Sequence, residues 1–275
     1  MTAAPLLPEI HVEEQVPAAR IRGFLQRDRL LAAYALADLD ATDVERARWW
    51  IATRADEIVA AALVVEALPF RPCFATGETE ALVRIFREGL REPRLVISTP
   101  PPGRVAVDVA YRFERLDRMH RMAVDVSIFK PRVTHTVTRL RAEHVEDVVD
   151  LYGHASRSYF TPDRLEREIY FGIYVGSLLA AAAGTHVRSR RSSIAAVGNV
   201  LTRITYRDRG MATSVTSAVT EAAFEEHTDV VLNVRQNNSP AIAVYDRLGY
   251  RVHAPFLEGP AVRRNALDRL LGRMR

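Results

Sequence analysis

The stretch that decides the fold of this 275-residue chain runs from Asn199 to Ala212 and reads NVLTRITYRDRGMA. Its first residues are typical of a strand, and the helical pattern of Met211–His227 begins directly after Gly210. Gly210 permits backbone angles that other residues rarely adopt, and Ala212 leaves the first helical turn uncluttered. The free N–H groups of that turn and the positive end of the helix dipole favour an anion such as pyrophosphate. The stretch therefore predicts a strand, a phosphate-binding turn and a helix in succession.

Two motifs in the second half of the chain resemble those of the GCN5-related N-acetyltransferases. Residues Arg207–Ala212 resemble the family's Arg/Gln-x-x-Gly-x-Gly/Ala signature. Residues Asn238–Tyr250 resemble its second motif, in which an asparagine, an alanine and a tyrosine precede a glycine and an aromatic residue. One predicted helix and one predicted strand separate the motifs, as they do in the family. The resemblance covers residues 139–258.

The resemblance implies a site for acetyl-coenzyme A (acetyl-CoA). In the family, the strand before the phosphate loop splays from the next strand, and the pantetheine arm lies between them. By that resemblance, the cofactor-binding residues are Val200, Leu201 and Thr202 on the strand, Arg207, Asp208, Arg209, Gly210, Met211, Ala212 and Thr213 around the pyrophosphate, and Asn238 on the arm. The alternative interpretation of Val200–Thr202 is an ordinary core strand. Both interpretations are compatible if the pantetheine arm contacts only the main chain of these residues.

Tyr245 is the predicted catalytic residue. A thiolate with a pKa of about 8.5 is a fair leaving group, and a nearby tyrosine hydroxyl can protonate it. Since Tyr245 lies at helical spacing from Ala241, Val244 and Leu248, a purely structural core position is the alternative interpretation. The resemblance around Tyr245 favours the catalytic role.

The sequence does not identify a general base. Several family members have a glutamate five residues before the asparagine of the second motif, where this chain has Asn233. A water held by Asn233 is one alternative, and three side chains are conceivable but favoured as structural or solvent-facing: His154, Glu168 and His186. The acceptor is expected over the helix–loop–helix of Tyr152–Tyr170, where these side chains could line it: Tyr152, Arg157, Tyr159 and Tyr170.

The order of elements predicts a mixed α/β fold with two GNAT-like domains, each a mixed central sheet flanked by helices. The predicted divisions are residues 1–131, a degenerate GNAT-like or accessory domain, 132–258, the complete acetyl-CoA-binding domain, and 259–275, a basic C-terminal helix. In the first half, Thr76–Glu80 occupies the equivalent strand-to-helix turn, where two carboxylates would repel a pyrophosphate. Residues 1–18 are interpreted as a loose leader and Val105–Phe113 as a strand.

Composition narrows the classes of partner. The net charge is +4, but Lys130 is the only lysine and the arginines are scattered, so we expect no nucleic-acid partner. The longest apolar run, Ile173–Ala183, is shorter than the roughly 20 residues that cross a bilayer, so we expect no membrane contact. The single Cys73 cannot form an internal disulfide, and the histidines show no metal-binding spacing. These features favour a cytoplasmic, metal-free protein, for which a homo-oligomer stays open.

The leading functional hypothesis is an N-acetyltransferase. It would transfer an acetyl group from acetyl-CoA to a primary amine of a small molecule, by direct attack in a ternary complex. The alternatives are acetylation of a protein amine and a non-catalytic acyl-CoA-binding sensor. Asn233 favours the sensor and Tyr245 opposes it. An interaction protein that uses the predicted helix Ala261–Arg275 is a further class.

Overall fold

The computed structural model describes residues 9–40, 47–66, 68 and 70–265, and the chain folds into two compact units. One unit comprises Met1–Met119 with Ala254–Arg275, and the other comprises His120–His253. Each unit is a mixed sheet flanked by helices, which confirms the predicted mixed α/β class. The predicted division at residues 131 and 258 stays a prediction, because a compact unit need not coincide with a functional domain.

The first unit is built on the sheet order β1-β2-β3-β4-β5-β13, with β6 beside β13. Its strands are β1 (Ile10–Glu14), β2 (Ala47–Arg54), β3 (Glu57–Val65), β4 (Pro72–Gly77), β5 (Arg94–Thr99), β6 (Tyr111–Phe113) and β13 (Arg251–Arg263), of which residues 254–263 belong to this unit. Its helices are α1 (Ala18–Leu25), α2 (Ala33–Asp40), α3 (Thr79–Arg84) and α4 (Arg104–Ala110). Strands β4 and β5 are parallel, and the other neighbours are antiparallel.

The second unit is built on the sheet order β7-β12-β11-β10-β9-β8. Its strands are β7 (Asp117–Asp125, of which residues 120–125 belong to this unit), β8 (Thr138–Arg139), β9 (Tyr170–Val175), β10 (Leu178–Ser189), β11 (Ile194–Thr202) and β12 (Asp229–Arg235). Its helices are α5 (Val145–Tyr152), α6 (Pro162–Arg167), α7 (Met211–Ala223) and α8 (Ser239–Arg247). Strands β11 and β12 are parallel, whereas β11 with β10, β10 with β9 and β9 with β8 are antiparallel.

Helices cover both faces of the second sheet. On one face, residues of α7 and α8 form a core with alternate residues of the strands: Val215, Val219, Leu248, Ala195, Val197, Val230, Leu232 and Val234. On the other face, α5 and the segment leading to α6 form a second core: Val148, Val149, Phe160, Leu165, Tyr170 and Leu179. No helix among the described residues is long and apolar enough to cross a membrane.

The two units repeat one order of elements. Each runs strand, two helices, three strands, helix, strand and helix, and in each the strand before the third helix is parallel to the strand after it. The sheet is completed by β13 in the first unit and by β7 in the second. This repetition matches the predicted pair of similar folds, while the origin of the first half as a decayed copy stays a prediction.

Three predicted elements are wrong. Ala261–Arg263 end strand β13 instead of starting a helix, because Ala261 is fully buried where β13 pairs with β5 and β6; residues 266–275 of that prediction lie outside the described residues. Val105–Phe113 is mostly helix α4, whose alternating pattern hides a buried helical face of Ala106, Val107 and Ala110. The predicted leader contains β1, which pairs with β2.

Candidate functional site

A β-bulge in β11 shapes the centre of the candidate site. Gly184 of β10 lies opposite Gly198, and two residues earlier Ala182 lies opposite Leu201, so β11 carries one extra residue. Asn199 sits in this bulge with φ of 50°, an uncommon value for a side-chain-bearing residue. A bulge bends its strand and interrupts pairing, so it redirects the end of β11.

Strands β11 and β12 part at the bulge. Their parallel pairing runs from Ile194 with Asp229 to Val197 with Leu232 and ends there, although β11 continues to Thr202 and β12 to Arg235. Beyond this point β11 stays paired with β10 alone. Val200, Leu201 and Thr202 therefore have a backbone edge that β12 does not pair. Their contact with the pantetheine arm stays a prediction.

The loop after β11 leads to the N-terminus of α7 with an open cradle of donors. Gly210 caps the 13-residue helix with φ of 79° and ψ of 0°, in the left-handed region that favours glycine. The first helical bond runs from the Ser214 N–H to the Gly210 carbonyl, and among the described residues no side chain caps the helix. The N–H groups of Met211, Ala212 and Thr213 therefore have no partner within the helix and are available to an anion.

The charges around this cradle are compatible with an anion. Arg207 and Arg209 are exposed, and neither forms an ion pair with another described residue; Arg207 Nε donates to the Thr202 carbonyl at 3.3 Å. Asp208 is exposed with φ of 60°, so it shapes the turn that brings the chain to Gly210. Met211 is buried in the core instead of facing the cradle, so only its backbone is available.

His135 lies beside the cradle, which the sequence did not indicate. A Cβ atom added to Gly210 would lie 3.7 Å from His135 Cε1, and His135 Nδ1 is 3.1 Å from the Ser214 hydroxyl. The Thr134 N–H also donates to that hydroxyl, at 3.1 Å. These residues precede β8 without any motif of their own, so only the tertiary structure places them here.

Asn238 has a structural role in the described chain. It is the N-cap of α8, and its Oδ1 accepts from the Ala241 N–H at 3.3 Å. Side-chain caps of this kind typically contribute about 1 kcal/mol to stability. The predicted contact of Asn238 with the pantetheine arm stays a prediction, and the side-chain NH₂ group is the part that could make it.

Tyr245 lies on the buried face of α8, close to the end of the splayed strands. Its ring contacts Tyr250 edge-on, with centroids 6.0 Å apart, and its side chain belongs to the core that includes Leu232 and Val215. The hydroxyl makes no hydrogen bond to a described residue, and burial raises the pKa of Tyr245 to about 12. Tyr245 therefore keeps its proton at neutral pH, as a proton donor must, and both interpretations of this residue remain compatible with its position.

A tyrosine network holds the bulge from the side of α5. The Tyr152 hydroxyl donates to the Asn199 carbonyl, and Asn199 Nδ2 donates to the Tyr170 hydroxyl at 2.9 Å and to the Tyr159 hydroxyl at 3.3 Å. Burial raises the pKa of Tyr152 well above its usual value, so its hydroxyl remains a donor. Of the side chains predicted to line the acceptor, Tyr152, Tyr159 and Tyr170 thus meet at the bulge. Arg157 instead pairs with Glu146, with both N–O distances at 2.7 Å.

Replacing Tyr152 with phenylalanine should disturb the bulge. The Asn199 carbonyl would lose its donor, which costs about 1–3 kcal/mol for a buried group and loosens the strand end that would hold the substrate. We expect kcat/KM to fall about tenfold and the melting temperature to fall by roughly 2–8 °C. Tyr174→Phe is the matched control, because it removes a hydroxyl that donates to Asp147 of the same helix at 2.6 Å. Equal losses of kcat/KM in both variants would contradict a specific role for the bulge.

Asn233 and Gly198 each follow the last paired position of β12 and β11, and the His186 ring of β10 covers Gly198. We call these three residues the acceptor row, because the acceptor is expected on this side of the sheet. Side chains alternate along a strand, and the neighbours of Asn233 and Gly198 face α7, so Asn233 and Gly198 face the α5 side. A Cβ atom on Gly198 would overlap the His186 ring at 2.4 Å, which shows that this ring covers Gly198. Asn233 Oδ1 is buried and has no hydrogen-bond partner among the described residues.

The conceivable bases differ in their surroundings. Glu168 is buried and engaged, since its Oε2 accepts from Thr185 at 2.7 Å and lies 3.4 Å from Arg188 Nε. His154 is exposed in the loop after α5. The His186 ring covers Gly198 of β11, but burial lowers the pKa of His186 to about 4, so its imidazole is neutral at physiological pH. The acceptor row itself contains no carboxylate, and Glu168 is engaged by other described residues.

The lowered histidine pKa values predict an acid-labile unit. Burial lowers the pKa of His186 to about 4 and also lowers that of His227, whose Nδ1 lies 2.9 Å from the Ala223 carbonyl. The unfolded chain binds these protons near pH 6.5, so stability is complete above about pH 6.5 and is lost as the pH falls toward 4. His186 alone should account for about 2 kcal/mol between about pH 7.5 and pH 5.

Urea unfolding at several pH values would measure this loss. The difference in unfolding free energy between about pH 7.5 and pH 5 should shrink by about 2 kcal/mol in His186→Gln. It should be unchanged in His154→Gln, which replaces an exposed histidine. A pH dependence that is identical in the wild type and His186→Gln would show that His186 titrates normally in the folded chain.

The equivalent turn of the first unit has no cradle. Strand β4 ends at Gly77 and α3 begins at Thr79, so a single residue separates them. Glu78 and Glu80 pair with Arg54 at that point, and a Cβ atom on Gly77 would meet the Val59 carbonyl at 2.3 Å. The carboxylates and the close packing leave the helix N-terminus unsuited to a pyrophosphate.

Comparison with solved structures supports this geometry. A GNAT-family protein from Novosphingobium aromaticivorans is 20% identical, with a TM-score of 0.55 over 74% of this chain and 89% of its own. A GCN5-related N-acetyltransferase from Kribbella flavida is 16% identical, with a TM-score of 0.59 over 86% and 95% of the two chains. A tandem GNAT protein from the clavulanic acid biosynthesis pathway is 14% identical, with a TM-score of 0.57 over 93% and 98%.

The chain therefore has the fold of the GCN5-related N-acetyltransferases, with the splayed strands and the glycine-capped helix in its second unit. Residues 170–256 match the family model described as FR47-like protein, which spans β9 to β13 and includes both motifs. No curated protein matches the chain in sequence.

Proposed function

We propose that this protein is an N-acetyltransferase that transfers an acetyl group from acetyl-CoA to a primary amine of a small molecule, by direct attack in a ternary complex. The parting of β11 and β12 at Val197 and Leu232, directly beside the open N-terminus of α7, carries this proposal. It combines an extended backbone edge with an anion cradle on neighbouring elements. An elongated ligand with a pyrophosphate and an amide-containing arm suits both.

The chain's residues divide the binding of acetyl-CoA between them. The backbone of Val200–Thr202 would pair with the arm, and the N–H groups of Met211, Ala212 and Thr213 would bind the pyrophosphate. Arg207 and Arg209 would attract the phosphates over a distance limited by salt screening to about 8–10 Å. Asp208 and Gly210 would set the turn, and the side-chain NH₂ of Asn238 would reach the arm.

Tyr245 would supply the proton that the departing sulfur needs. Its hydroxyl is protonated at neutral pH and has no hydrogen-bond partner among the described residues, so it is available to a ligand. A tyrosine that donates to a thiolate contributes general acid catalysis, which is typically worth about 10²–10⁴ in rate. The buried position of Tyr245 in the core of this unit would keep water away from that transfer.

A non-catalytic acyl-CoA sensor is the second candidate. Asn233 favours it, since an amide at the acceptor row cannot remove a proton from an ammonium group. Release of free thiol in the presence of an amine would exclude the sensor, because a sensor binds acetyl-CoA without consuming it. Acetylation of a protein amine remains an alternative for the acceptor, and an amine panel that includes peptides would separate it.

Calorimetric titration of the full chain with acetyl-CoA tests the proposed function. We expect binding with a dissociation constant in the range of about 1 μM to 1 mM, as is common for enzyme substrates. Desulfo-CoA, which keeps the pyrophosphate and the arm, should compete with acetyl-CoA for the same site. Absence of binding would overturn the proposal, because both the catalytic and the sensor hypotheses require it.

A further inference from the structure

The acceptor row bears on the protonation state that the acceptor amine needs before it reaches the site. The chemistry of the proposed transfer needs a neutral amine, because an ammonium group has no lone pair with which to attack. At about pH 7.5, an alkyl amine with a pKa of 10.4 is neutral in only about one molecule in 800. An α-amino group with a pKa of about 7.8 is neutral in roughly one molecule in three. An enzyme without a base at the acceptor row would therefore depend on the second kind of amine.

Arg164 adds a positive charge behind the acceptor row. Its Nη2 donates to the Tyr159 hydroxyl at 2.6 Å and to the His186 carbonyl at 3.0 Å, and the guanidinium lies 4.0 Å from the centre of the Tyr159 ring. No carboxylate forms an ion pair with Arg164 among the described residues, and its Nε is buried without a partner. Although burial acts to lower it, the pKa of Arg164 is raised, and the charge of Glu168 helps to raise it without a direct ion pair. A partly buried cation repels an incoming ammonium group more strongly than one in water would.

The other charged and titratable groups on this face do not offset that repulsion. Glu168 accepts from the Thr185 hydroxyl and lies within 3.6 Å of both Arg167 Nε and Arg188 Nε, so its carboxylate is shared among these groups. Tyr152 and Tyr170 have pKa values raised by burial, and His186 has a pKa lowered to about 4 by burial, so all three are neutral near pH 7. Arg164 therefore adds positive charge to the face around the acceptor row, where the carboxylate of Glu168 is already engaged by Thr185, Arg167 and Arg188.

Asn233 offers the contact that a neutral amine can use. Its Oδ1 is buried and unpartnered among the described residues, and such an acceptor is unfavourable until a donor reaches it. It lies one residue beyond the last paired position, Leu232, where β12 leaves β11. Gly198 itself carries no Cβ atom, and the His186 ring occupies the space that such an atom would fill.

We propose that the acceptor is a weakly basic amine, of which about a third or more is already neutral at physiological pH, and that Asn233 orients it by accepting one of its N–H groups. The chemical class comprises α-amino groups and aromatic amines, in contrast to alkyl amines such as a lysine side chain. This inference rests on the proposed acetyl transfer. The amine nitrogen forms a bond to the acetyl carbon while the carbon–sulfur bond breaks; the amine loses one proton to water, and the sulfur receives one from Tyr245, which water then reprotonates.

Steady-state kinetics with a graded series of amines test the inference in the wild-type protein. The series should contain an alkyl amine, an amino-acid amide and an aromatic amine, with pKa values that cover about 4.5 to 10.4. Near about pH 7, we expect kcat/KM for the amino-acid amide to exceed that for the alkyl amine at least about tenfold. The rise of kcat/KM with pH should follow the pKa of each amine and move with it.

Three variants assign the effect to the named residues. Arg164→Gln should reduce the discrimination against the alkyl amine by about tenfold, whereas Arg157→Gln, which removes an exposed arginine paired with Glu146, should leave it unchanged. Asn233→Ala should lower kcat/KM for every amine about tenfold with the KM for acetyl-CoA unchanged. Asn233→Asp should improve the alkyl amine relative to the amide, because it places a carboxylate beside the amine.

Two results would overturn the inference while acetyl transfer itself stands. One is a kcat/KM profile with the same pKa for every amine, which would reveal a base of the enzyme. The other is a higher kcat/KM near neutral pH for the alkyl amine than for the amino-acid amide. If no amine causes release of free CoA thiol, the proposed function fails, and the inference fails with it.

Discussion

Gly210→Glu is expected to weaken acetyl-CoA binding by at least about a hundredfold, measured by calorimetric titration. The substitution acts in two ways at once. Gly210 has φ of 79°, where a side chain costs about 1–2 kcal/mol, and the new carboxylate would lie at the helix N-terminus that has to bind the pyrophosphate. The carboxylate would accept from the N–H groups of Ala212 and Thr213 in the place of the phosphate.

Gly176→Glu is the matched control for that variant. Gly176 has φ of 60° in the turn between β9 and β10, and a Cβ atom there meets nothing within 4 Å. It therefore carries a similar backbone cost and the same added charge, away from α7. Gly210→Asn is a second control, because asparagine tolerates the left-handed region and adds no charge. Unchanged affinity in Gly210→Glu would contradict the position of the pyrophosphate.

Tyr245→Phe is expected to lower kcat by about 10²–10³ while acetyl-CoA binding stays within about threefold of the wild type. The hydroxyl makes no hydrogen bond to a described residue, so its removal should cost little stability. The phenylalanine keeps the ring contact with Tyr250 and the packing within the core. The loss should be smaller for acyl donors whose leaving group is more acidic than a thiol of CoA, because such a group needs less protonation.

Tyr250→Phe is the control for Tyr245→Phe, because the two rings are in contact and each variant removes one hydroxyl from the same core. The Tyr250 hydroxyl is buried and lies 2.7 Å from the Thr220 hydroxyl, so its removal should reduce stability by about 1 kcal/mol and leave kcat near the wild-type value. A kcat for Tyr245→Phe that equals that of Tyr250→Phe would assign Tyr245 to the core alone. Such a result would support the alternative interpretation, in which the helical spacing of Tyr245 and Leu248 makes Tyr245 a structural core residue.

The elements around the proposed phosphate cradle were predictable from sequence because their signals are local. Gly210 marks the left-handed cap, the pattern after it marks α7, and Thr161-Pro162 marks the start of α6, where Thr161 Oγ1 accepts from the Arg164 N–H. The hairpin around Gly176 was predictable for the same reason, since a glycine with positive φ joins two apolar runs. Each of these features depends on residues only a few positions apart.

The features that the sequence did not reveal depend on distant residues. The bulge at Asn199 arises from its pairing with β10 and its contacts with Tyr152 and Tyr170, which lie 47 and 29 positions away. Helix α4 has an alternating apolar pattern that is equally typical of a strand. The helix forms because it buries Ala106, Val107 and Ala110 on one face. Strand β13 continues to Arg263 because β5 and β6 receive it, and neither partner is close in sequence.

The acceptor row is a third case of tertiary placement. Asn233 was recognised as a departure from the family's glutamate, but its buried and unpartnered oxygen follows only from the point at which β12 leaves β11. Arg164 was not singled out at all, because one arginine among many gives no signal in this arginine-rich chain. Its contact with the His186 carbonyl, 22 positions away, places it behind the row.

The central claim is that the second unit transfers acetyl groups, and a coupled assay of both products tests it most directly. Acetyl-CoA and an amino-acid amide are incubated with the wild-type protein, and free CoA thiol and N-acetylated amide are measured over the same time course. The account predicts that both products form in equal amounts, and that both rates fall together in Tyr245→Phe. Saturable binding of acetyl-CoA without either product would contradict transfer and identify an acyl-CoA sensor.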